Sequence, residues 1–196
     1  MWRRAFPVVF VDIGSNFEAI EINGRSRVKW TPAVLFSEVV GHMVKIKIYD
    51  QSMQPALESC FKACVMALGW EYQPDGRHMD MVSIVDSYMR HGCFWCLYKD
   101  ADLIGMVAAR CIDSENNVAE LKRLYVLPEH QSNGYGGMLF ECALDYVKEQ
   151  GYRIVRVDTR HDRNASLHLI DNHRFRRVER YNDNEFAELY FELDLE

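Results

Sequence analysis

The stretch that decides the fold is Glu120–Leu139, which reads ELKRLYVLPEHQSNGYGGML. Its first eight residues read as a β-strand, and Pro128 closes the strand because proline cannot donate a ladder hydrogen bond. The stretch then places three glycines and an asparagine within Gln131–Gly137, directly before the helical pattern MLFECALDYVKEQ. We therefore expect this segment, called the glycine corner below, to connect the end of a strand to the start of a helix.

The residues after the glycine corner complete a βαβ unit. The helix carries its apolar residues on one stripe: Leu139, Cys142, Ala143, Tyr146 and Val147. Gly151 follows where a left-handed C-cap is expected, and RIVRVDT reads as a second strand. Such a unit predicts two parallel neighbouring strands joined by a right-handed crossover.

The rest of the chain predicts an antiparallel sheet with helices. Apolar residues at helical spacing indicate a helix over about 57–68, another near 80–91 and a short one near 165–173. In the second helix, Ile84, Val85 and Tyr88 are expected on one face. Strands are predicted from VKIKIY, CFWCLY, LIGMVAARCI, RRVERY and FAELYFELDL. The expected fold class is α+β, with a mixed, mostly antiparallel sheet, a central parallel pair and flanking helices.

The first 42 residues differ in pattern from the remainder. They contain short strand-like pieces but no motif that indicates a function. We predict that residues 1–42 form an N-terminal extension of unknown role and that residues 43–196 form one domain.

Composition and charge narrow the class of protein. A chain of 196 residues with 48% apolar content can bury one sizeable core. The formal net charge of −6 argues against a nucleic-acid partner, which requires a basic face. Asp12 interrupts the N-terminal apolar run too early for a signal peptide or a membrane span. We expect a soluble, cytoplasmic protein with no membrane partner.

The six cysteines do not indicate a disulfide framework or a metal site. Cys93 and Cys96 have the spacing of a metal or redox pair, but no second pair completes a zinc site. The pair also lies within a strand-like run. We therefore expect an ordinary strand there and no bound metal.

The glycine corner has the chemistry of an anion site. A helix N-terminus presents unpaired N–H groups and a partial positive charge, so it binds anions without a cationic side chain. Gly134 and Gly136 have no Cβ to block a phosphate. Taken alone, however, a Gly-x-Gly sequence favours a simple tight turn.

The whole stretch Glu120–Leu139 resembles the signature of the GNAT superfamily of acyl-CoA-dependent N-acetyltransferases. The loop of that family reads Gln/Arg-x-x-Gly-x-Gly/Ala, which Gln131, Gly134 and Gly136 match here after a Leu-x-Val-x-Pro strand. The order of predicted elements over residues 43–195 also resembles the GNAT fold. The resemblance implies acetyl-CoA as a co-substrate, with no metal.

The resemblance also implies roles for individual residues. The pyrophosphate of coenzyme A would be held by the glycine corner, through Gln131, Ser132, Asn133, Gly134, Tyr135, Gly136 and Gly137. The strand around Tyr125 would pair with the pantetheine arm through the backbone of Leu124 and Val126, and a backbone N–H there would polarise the thioester. Asn164 lies near the position of a cofactor-contacting polar residue. Glu120 occupies the place of a general base acting directly or through water, although an ordinary strand carboxylate is an equal alternative.

The chain departs from the family pattern at the general acid. The tyrosine of the family aligns with Ile170, which cannot donate a proton, and Arg174 replaces the usual glycine before Phe175. Either His168, His173 or Tyr181 substitutes as the donor, or water protonates the leaving thiolate. The altered residues leave the local turn in question.

The function expected from this resemblance is acetyl transfer from acetyl-CoA to a primary amine of a small molecule or a protein, by direct attack in a ternary complex. The alternative is a non-catalytic acyl-CoA-binding or sensor module. Acceptor selection would fall to the first two helices and the last hairpin, whose acidic groups would suit a cation. A homodimer through the final strands is a further possibility, since edge strands pair readily.

Overall fold

The structure is a computed structural model that describes residues 9–12, 17–20, 35–39 and 42–195. These residues form one ten-stranded sheet of order β2-β1-β3-β4-β5-β6-β7-β8-β10-β9. The strands are β1 Val9–Asp12, β2 Phe17–Ile20, β3 Leu35–Val39, β4 His42–Ile48, β5 Gly92–Lys99, β6 Asp102–Asp113, β7 Val118–Val126, β8 Ile154–Thr159, β9 Arg176–Arg177 and β10 Leu189–Asp194. The α-helices are α1 Gln54–Ala67, α2 Tyr135–Glu149 and α3 Asn164–Asn172.

The predicted parallel pair is confirmed in β7 and β8, which are joined through α2. Their ladder is short: it runs from Val118 paired with Ile154 to Glu120 paired with Arg156, and stops there. Both strands continue beyond that point. The sheet therefore opens into a gap between the second half of β7 and the end of β8, while the other strand pairs are antiparallel.

A bulge in β7 lies beside this gap. On the other side of the strand, Tyr125 pairs with Met106 and Lys122 pairs with Ala108, so two residues of β7 stand opposite Val107 alone. Arg123, within the bulge, has φ +56°, a left-handed conformation that is uncommon for a residue with a Cβ. The bulge changes the direction of the main-chain groups at the point where β7 leaves β8.

Two apolar cores lie on opposite faces of the sheet. Along β5, Cys93 and Trp95 belong to the core covered by α2 and α3, whereas Phe94 and Cys96 belong to the core covered by α1. These faces are called the α2 face and the α1 face below. Cys93 and Cys96 are therefore buried apart from each other, and no group of metal-ligating side chains occurs within the described residues.

The end of α2 shows how the local sequence sets the fold. Gly151 has φ +80°, as predicted for a left-handed cap. Its N–H donates to the Lys148 carbonyl, and the N–H of Tyr152 donates to the Val147 carbonyl. These two bonds satisfy the last turn of the helix and direct the chain into β8.

The helix predicted near 80–91 is not a regular α-helix. The chain forms a 3₁₀ turn at Met79–Met81 and a π-turn at Val85–Met89. Ile84 and Tyr88 are buried as predicted, but Val85 is exposed. The prediction was wrong for Val85 because the wider π-turn replaces the 3.6-residue periodicity on which it rested.

The N-terminal strands β1, β2 and β3 extend the sheet from β4. Much of residues 1–42 lies outside the described residues, so the domain boundary at residue 43 stays a prediction. Within the described ranges, no helix has the length and apolar character needed to cross a membrane.

Candidate active site

A cavity of about 550 Å³ occupies the gap between β7 and β8. Its walls come from both faces of the sheet: Phe140 and Ile170 from the α2 face, and Trp70 and Arg77 from the segment after α1. The floor is formed by Leu121–Tyr125. Two molecules entering from opposite faces could therefore meet in this cavity.

The second half of β7 presents an edge to this cavity that is not paired with another described strand. Because the ladder with β8 stops at Glu120, the β8 side of Leu121–Val126 has no strand partner in the described chain. Such an edge binds an extended molecule by adding it to the sheet. Leu124 and Tyr125 line the cavity, and Val126 lies at the end of the strand. These are the positions that the sequence assigned to a cofactor arm.

The glycine corner lies at the N-terminus of α2, as predicted. Gly134 is the N-cap with φ +83°, and Ser132 has φ +62°. A Cβ placed on Gly134 or Gly136 would meet no atom within 4 Å, so the backbone is open to a ligand at both positions. The N–H groups of the first turn of α2 have no carbonyl of a preceding turn to bond.

Hydrogen bonds from two side-chain amides to backbone carbonyls stabilise the glycine corner. Gln131 donates from Nε2 to the Val126 carbonyl at 3.0 Å, and Asn133 donates from Nδ2 to the carbonyls of His130 and Gln131 at 3.1 and 2.9 Å. Gly137 faces Leu169, and the Tyr135 side chain is buried in the core. Any ligand contact of Tyr135 would therefore come from its main chain.

Asn164 is the first residue of α3 and is exposed. The neighbouring residues Arg163 and Ser166 line the cavity, whereas Asn164 does not. The structure thus brings its segment to the cavity but not its side chain.

Glu120 is completely buried and ion-paired, and it does not line the cavity. Oε2 accepts hydrogen bonds from Arg110, with its Nε at 2.9 Å. Oε1 accepts from Asn182 Nδ2 at 2.8 Å and from the Tyr181 hydroxyl at 3.0 Å, and Lys122 Nζ lies 3.4 Å away. Both carboxylate oxygens therefore have donors from within the protein.

Asp158 is a second carboxylate of the same network, and it reaches the cavity wall. Its side chain is 11% exposed. Lys122 Nζ is 3.3 Å from Oδ2, and Asn182 and Asn184 donate to the carboxylate. Sequence reasoning missed Asp158, since a single aspartate near the end of a strand carries no motif. Lys122 and Asn182 are shared by Glu120 and Asp158 and connect the two.

A third carboxylate, Asp80, anchors the α1 face to the bulge. Arg123 donates from Nε to Asp80 Oδ2 at 2.7 Å and from Nη2 to the Arg77 carbonyl at 3.3 Å, while the Tyr88 hydroxyl also donates to Asp80. Although burial alone would raise the pKa of Asp80, Arg123 and the hydrogen bonds lower it below its usual range. The bulge residue thus fixes the loop that carries Arg77.

The residues considered as general acids have different surroundings. Tyr181 donates its proton to Glu120, and burial, followed by the charge of Glu120, raises the pKa of Tyr181 far above its usual value. His168 is exposed beside Asn172, and His173 contacts the Leu169 carbonyl. None of these three lines the cavity, whereas Ile170 does.

The chain still forms a turn after α3, although Arg174 stands where the family pattern has a glycine. Arg174 has φ +61°, the conformation that a glycine would adopt without strain. Its N–H donates to the Asp171 carbonyl at 3.0 Å, and the N–H of Phe175 donates to the Ile170 carbonyl at 3.2 Å. Phe175 is buried.

One end of the cavity has a rim of arginines packed on aromatic rings. The Arg77 guanidinium carbon lies 4.5 Å from the Trp70 ring centroid and 3.8 Å from that of Phe186. Arg163 and Arg160 approach Trp70 at 4.7 and 5.8 Å. These five residues, called the arginine rim below, all line the cavity.

Comparison with known proteins agrees with this geometry. Residues 57–174 match the acetyltransferase (GNAT) family, a range that includes most of α1, the glycine corner and most of the cavity wall. Human N-acetyltransferase 8 is 33% identical over 85 residues, which are 41% of this chain and 37% of that protein. The chain spans about a third to just over half of the curated relatives it matches.

Solved structures share the fold at low sequence identity. A GNAT-family acetyltransferase from Staphylococcus aureus Mu50 superposes with a TM-score of 0.71 at 18% identity, covering 78% of this chain and 99% of that chain. A putative acetyltransferase from Salmonella typhimurium, solved with its cofactor acetyl-CoA, has a TM-score of 0.61 at 17% identity, covering 78% and 94%. An open strand edge beside a glycine corner defines the class as a GNAT-type acyltransferase fold. The chain belongs to the GNAT acetyltransferase family.

Proposed function

We propose that this protein transfers an acetyl group from acetyl-CoA to a primary amine of a small molecule or protein, by direct attack in a ternary complex. The observation that carries the proposal is the cavity between β7 and β8, which has an open strand edge beside the glycine corner. This arrangement suits a cofactor with a phosphate group at one end and an extended amide-containing arm. Coenzyme A has both.

The cofactor would be held mainly by the backbone. The pyrophosphate would accept hydrogen bonds from the N–H groups that follow Gln131 in the glycine corner, where Gly134 and Gly136 leave room for it. The N–H of Gln131 itself donates to the Pro128 carbonyl at 3.2 Å. The pantetheine amides would pair with the edge of β7 at Leu124 and Val126. Asn164, whose side chain lies outside the cavity, would contact the cofactor only where it leaves the cavity near the start of α3.

The bulge would provide the stabilisation of the transition state. Attack on a thioester places negative charge on the carbonyl oxygen, and a fixed N–H donor at that position lowers the barrier. Main-chain groups alternate between the two edges of a strand, and the Leu127 N–H donates to the Ile104 carbonyl next to β6. Tyr125 therefore also faces β6, whereas the N–H groups of Leu124 and Val126 face the open edge, and Arg123 fixes the bulge through Asp80. We assign the oxyanion donor to this segment.

The proton of the attacking amine would leave through the two-carboxylate network. Asp158 reaches the cavity, so it is the group that can accept the proton, directly or through a water molecule. Glu120 would act through this network, since Lys122 and Asn182 connect it to Asp158. In this proposal the buried Glu120 positions Lys122 and Asn182: its negative charge offsets the positive charge of Lys122, and its Oε1 accepts a hydrogen bond from Asn182.

The leaving thiolate would be protonated by water. Ile170 occupies the wall position that the resemblance gives to a tyrosine, and the Tyr181 proton is already bonded to Glu120. A thiolate is a stable leaving group near neutral pH, so a dedicated acid is not essential.

A covalent acetyl-enzyme is not part of the proposal. No cysteine of the described chain lines the cavity. Direct transfer requires both substrates to be bound together, whereas a covalent intermediate gives ping-pong kinetics.

Initial-rate kinetics with acetyl-CoA and a panel of primary amines tests this function. We expect turnover with intersecting double-reciprocal lines. Parallel lines would contradict direct transfer. Saturable acetyl-CoA binding without turnover of any amine would contradict the enzyme and favour the alternative, a non-catalytic acyl-CoA-binding module.

A further inference from the structure

Among the described residues, Arg77 is the arginine of the rim that forms no ion pair with a carboxylate. Arg160 lies 3.3 Å from Asp162 and 3.6 Å from Glu188, and Arg163 lies 3.4 Å from Asp162. Arg77 has no carboxylate within 4.0 Å in the part of the chain that the structure describes, where its charged group is packed on two rings. Ring faces attract a guanidinium but do not replace a planar anionic acceptor for its five N–H donors.

The carboxylates of the cavity do not supply that acceptor. Asp80 is bonded to Arg123 and Tyr88, and Asp158 is bonded to Lys122 and two asparagines. Asp183 and Glu185 also line the cavity, but both side chains are exposed to water, which weakens their field at Arg77. The carboxylates that line the cavity are thus either paired or solvated.

Arg77 is also on the wrong face of the sheet to bind the phosphates of the cofactor. The glycine corner begins α2, which packs on the α2 face. Arg77 precedes His78, whose ring packs against Phe61 of α1. An anion at Arg77 would therefore belong to the molecule that enters from the α1 face.

We propose that the amine acceptor carries a carboxylate and that the Arg77 guanidinium binds it. This inference rests on the proposed function, since it names the class of acceptor for the same cavity. A guanidinium fits a carboxylate through two parallel hydrogen bonds, which fixes orientation as well as affinity. The Arg123 contact with the Arg77 carbonyl holds this loop against the bulge, so the bound amine faces the reacting end of the cavity.

Leucine, leucinamide and 3-methylbutylamine form a matched set of probes, because they share a side chain and differ in the carboxylate. We expect kcat/KM for leucine to exceed the other two by about tenfold or more, the effect of one charge-assisted pair. The amide has the least basic amine and the largest neutral fraction at neutral pH. A preference for leucine over leucinamide therefore cannot come from basicity.

Arg77→Met should remove this preference by raising KM for leucine about tenfold, with kcat changed by less than about twofold. Arg77→Lys should fall between, because it keeps the charge but loses the paired donors. Arg90→Met is the matched control, since Arg90 is an exposed arginine paired with Asp86 that does not line the cavity. It should behave as the unmodified protein does.

Calorimetric titration of N-acetylleucine into the CoA-bound protein gives a second readout that needs no turnover. We expect binding that Arg77→Met weakens about tenfold and Arg90→Met does not. Equal kcat/KM for the three probes would overturn the carboxylate site while leaving acetyl transfer intact. Absence of turnover with every amine would count against the proposed function instead. The titration would then test the carboxylate site by itself. N-acetylleucine binding that does not depend on Arg77 would overturn that site.

Discussion

The glycine corner and the arginine rim are both suited to anions, but they achieve this by opposite means. The corner offers main-chain N–H groups, with Gly134 and Gly136 open to solvent, and no cationic side chain is required. The rim relies on guanidinium groups held on Trp70 and Phe186. One region binds through the absence of side chains, and the other through their identity and packing.

This difference teaches which substitutions each region tolerates. In the corner, any side chain that fills the open space should interfere with a ligand, whatever its charge. In the rim, the chemical nature of a single side chain, Arg77, should decide which ligand binds. Cofactor binding and acceptor choice should therefore be separable by mutation.

The largest expected effect lies between the two regions, at the two carboxylates. Glu120→Gln should lower the free energy of unfolding by about 3–5 kcal/mol, because it leaves Arg110 without its buried partner. Asp158→Asn should cost less stability because Asp158 remains partly accessible to water. It should lower kcat about ten- to a thousandfold at neutral pH, and less at high pH, where more of the amine is already neutral.

Urea unfolding and pH–rate profiles of both variants measure these effects. A Glu120→Gln protein of normal stability that loses activity, together with an active Asp158→Asn protein, would contradict the assignment of Asp158 as the proton acceptor and Glu120 as the positioning residue. It would make Glu120 itself the base. Unchanged pH profiles in both variants would remove the pair from the mechanism.

The next effect tests the corner. Gly136→Val should weaken acetyl-CoA binding about a hundredfold, about 2.7 kcal/mol, because its branched side chain enters the open space where the pyrophosphate is expected. Gly136→Ala is the matched control, since the family loop also carries alanine at this position. Gly134 is less suited to this test, as its φ of +83° would strain any substituted residue.

Calorimetric titration with acetyl-CoA measures both affinities. The KM of the acceptor should not change in Gly136→Ala. Equal affinities of the valine and alanine variants would mean that the corner is only a turn, and the separation of the two regions would fail.

On the α1 face, His78 should make stability depend on pH. Its ring is buried against Phe61 and Tyr72, and Nδ1 accepts from the Gln73 N–H at 3.0 Å. Nε2 is buried and has no hydrogen-bond partner among the described residues. Burial, with the positive charge of Arg123, lowers the pKa of His78 to about 4 from 6.5. The unfolded chain then binds a proton that the folded chain excludes.

The contribution of His78 should be fully present above about pH 6.5 and should decline by about 2–3 kcal/mol as the pH falls to 4. His78→Phe keeps a ring at this position and removes the titration. Chemical unfolding measured between pH 4 and 7 should therefore show a free energy of unfolding that depends less on pH in that variant. An equal pH dependence in the two proteins would mean that His78 binds a proton as readily in the folded state as in the unfolded state.

The smallest effect concerns the turn at Arg174. Arg174→Gly should raise the free energy of unfolding by about 0.5–1 kcal/mol, because glycine adopts φ +61° without the penalty of a Cβ. Thermal and urea unfolding measure this change, and acetyl-CoA affinity should remain as it was. A loss of stability would show that the arginine side chain contributes more than its backbone strain costs.

The parts of the protein that the sequence predicts are local ones. The parallel pair and the glycine corner follow from contiguous residues whose backbone preferences and periodicity are legible, such as Gly134 at the helix start and Gly151 at its end. The cap geometry confirms both. The resemblance to a known family then relates this segment to a cofactor.

The acceptor side could not be read in the same way. The rim is formed by residues that lie far apart in the chain, since Trp70 and Phe186 are 116 positions apart, and only the folded sheet brings them together. The burial of Glu120 depends on Arg110 and Asn182, which come from other elements. The π-turn at Val85 replaced the expected helix because tertiary contacts of Tyr88 with Asp80 and Phe94 override a short periodic pattern.

The central claim is that the gap between β7 and β8, with its glycine corner, binds acetyl-CoA. Thermal unfolding with and without acetyl-CoA tests it most directly, because a ligand at a hundred times its dissociation constant stabilises the native state by about 2.7 kcal/mol. We expect an increase in Tm of roughly 5–10 °C, which Gly136→Val abolishes and Gly136→Ala retains. An unchanged Tm at millimolar acetyl-CoA would contradict the account.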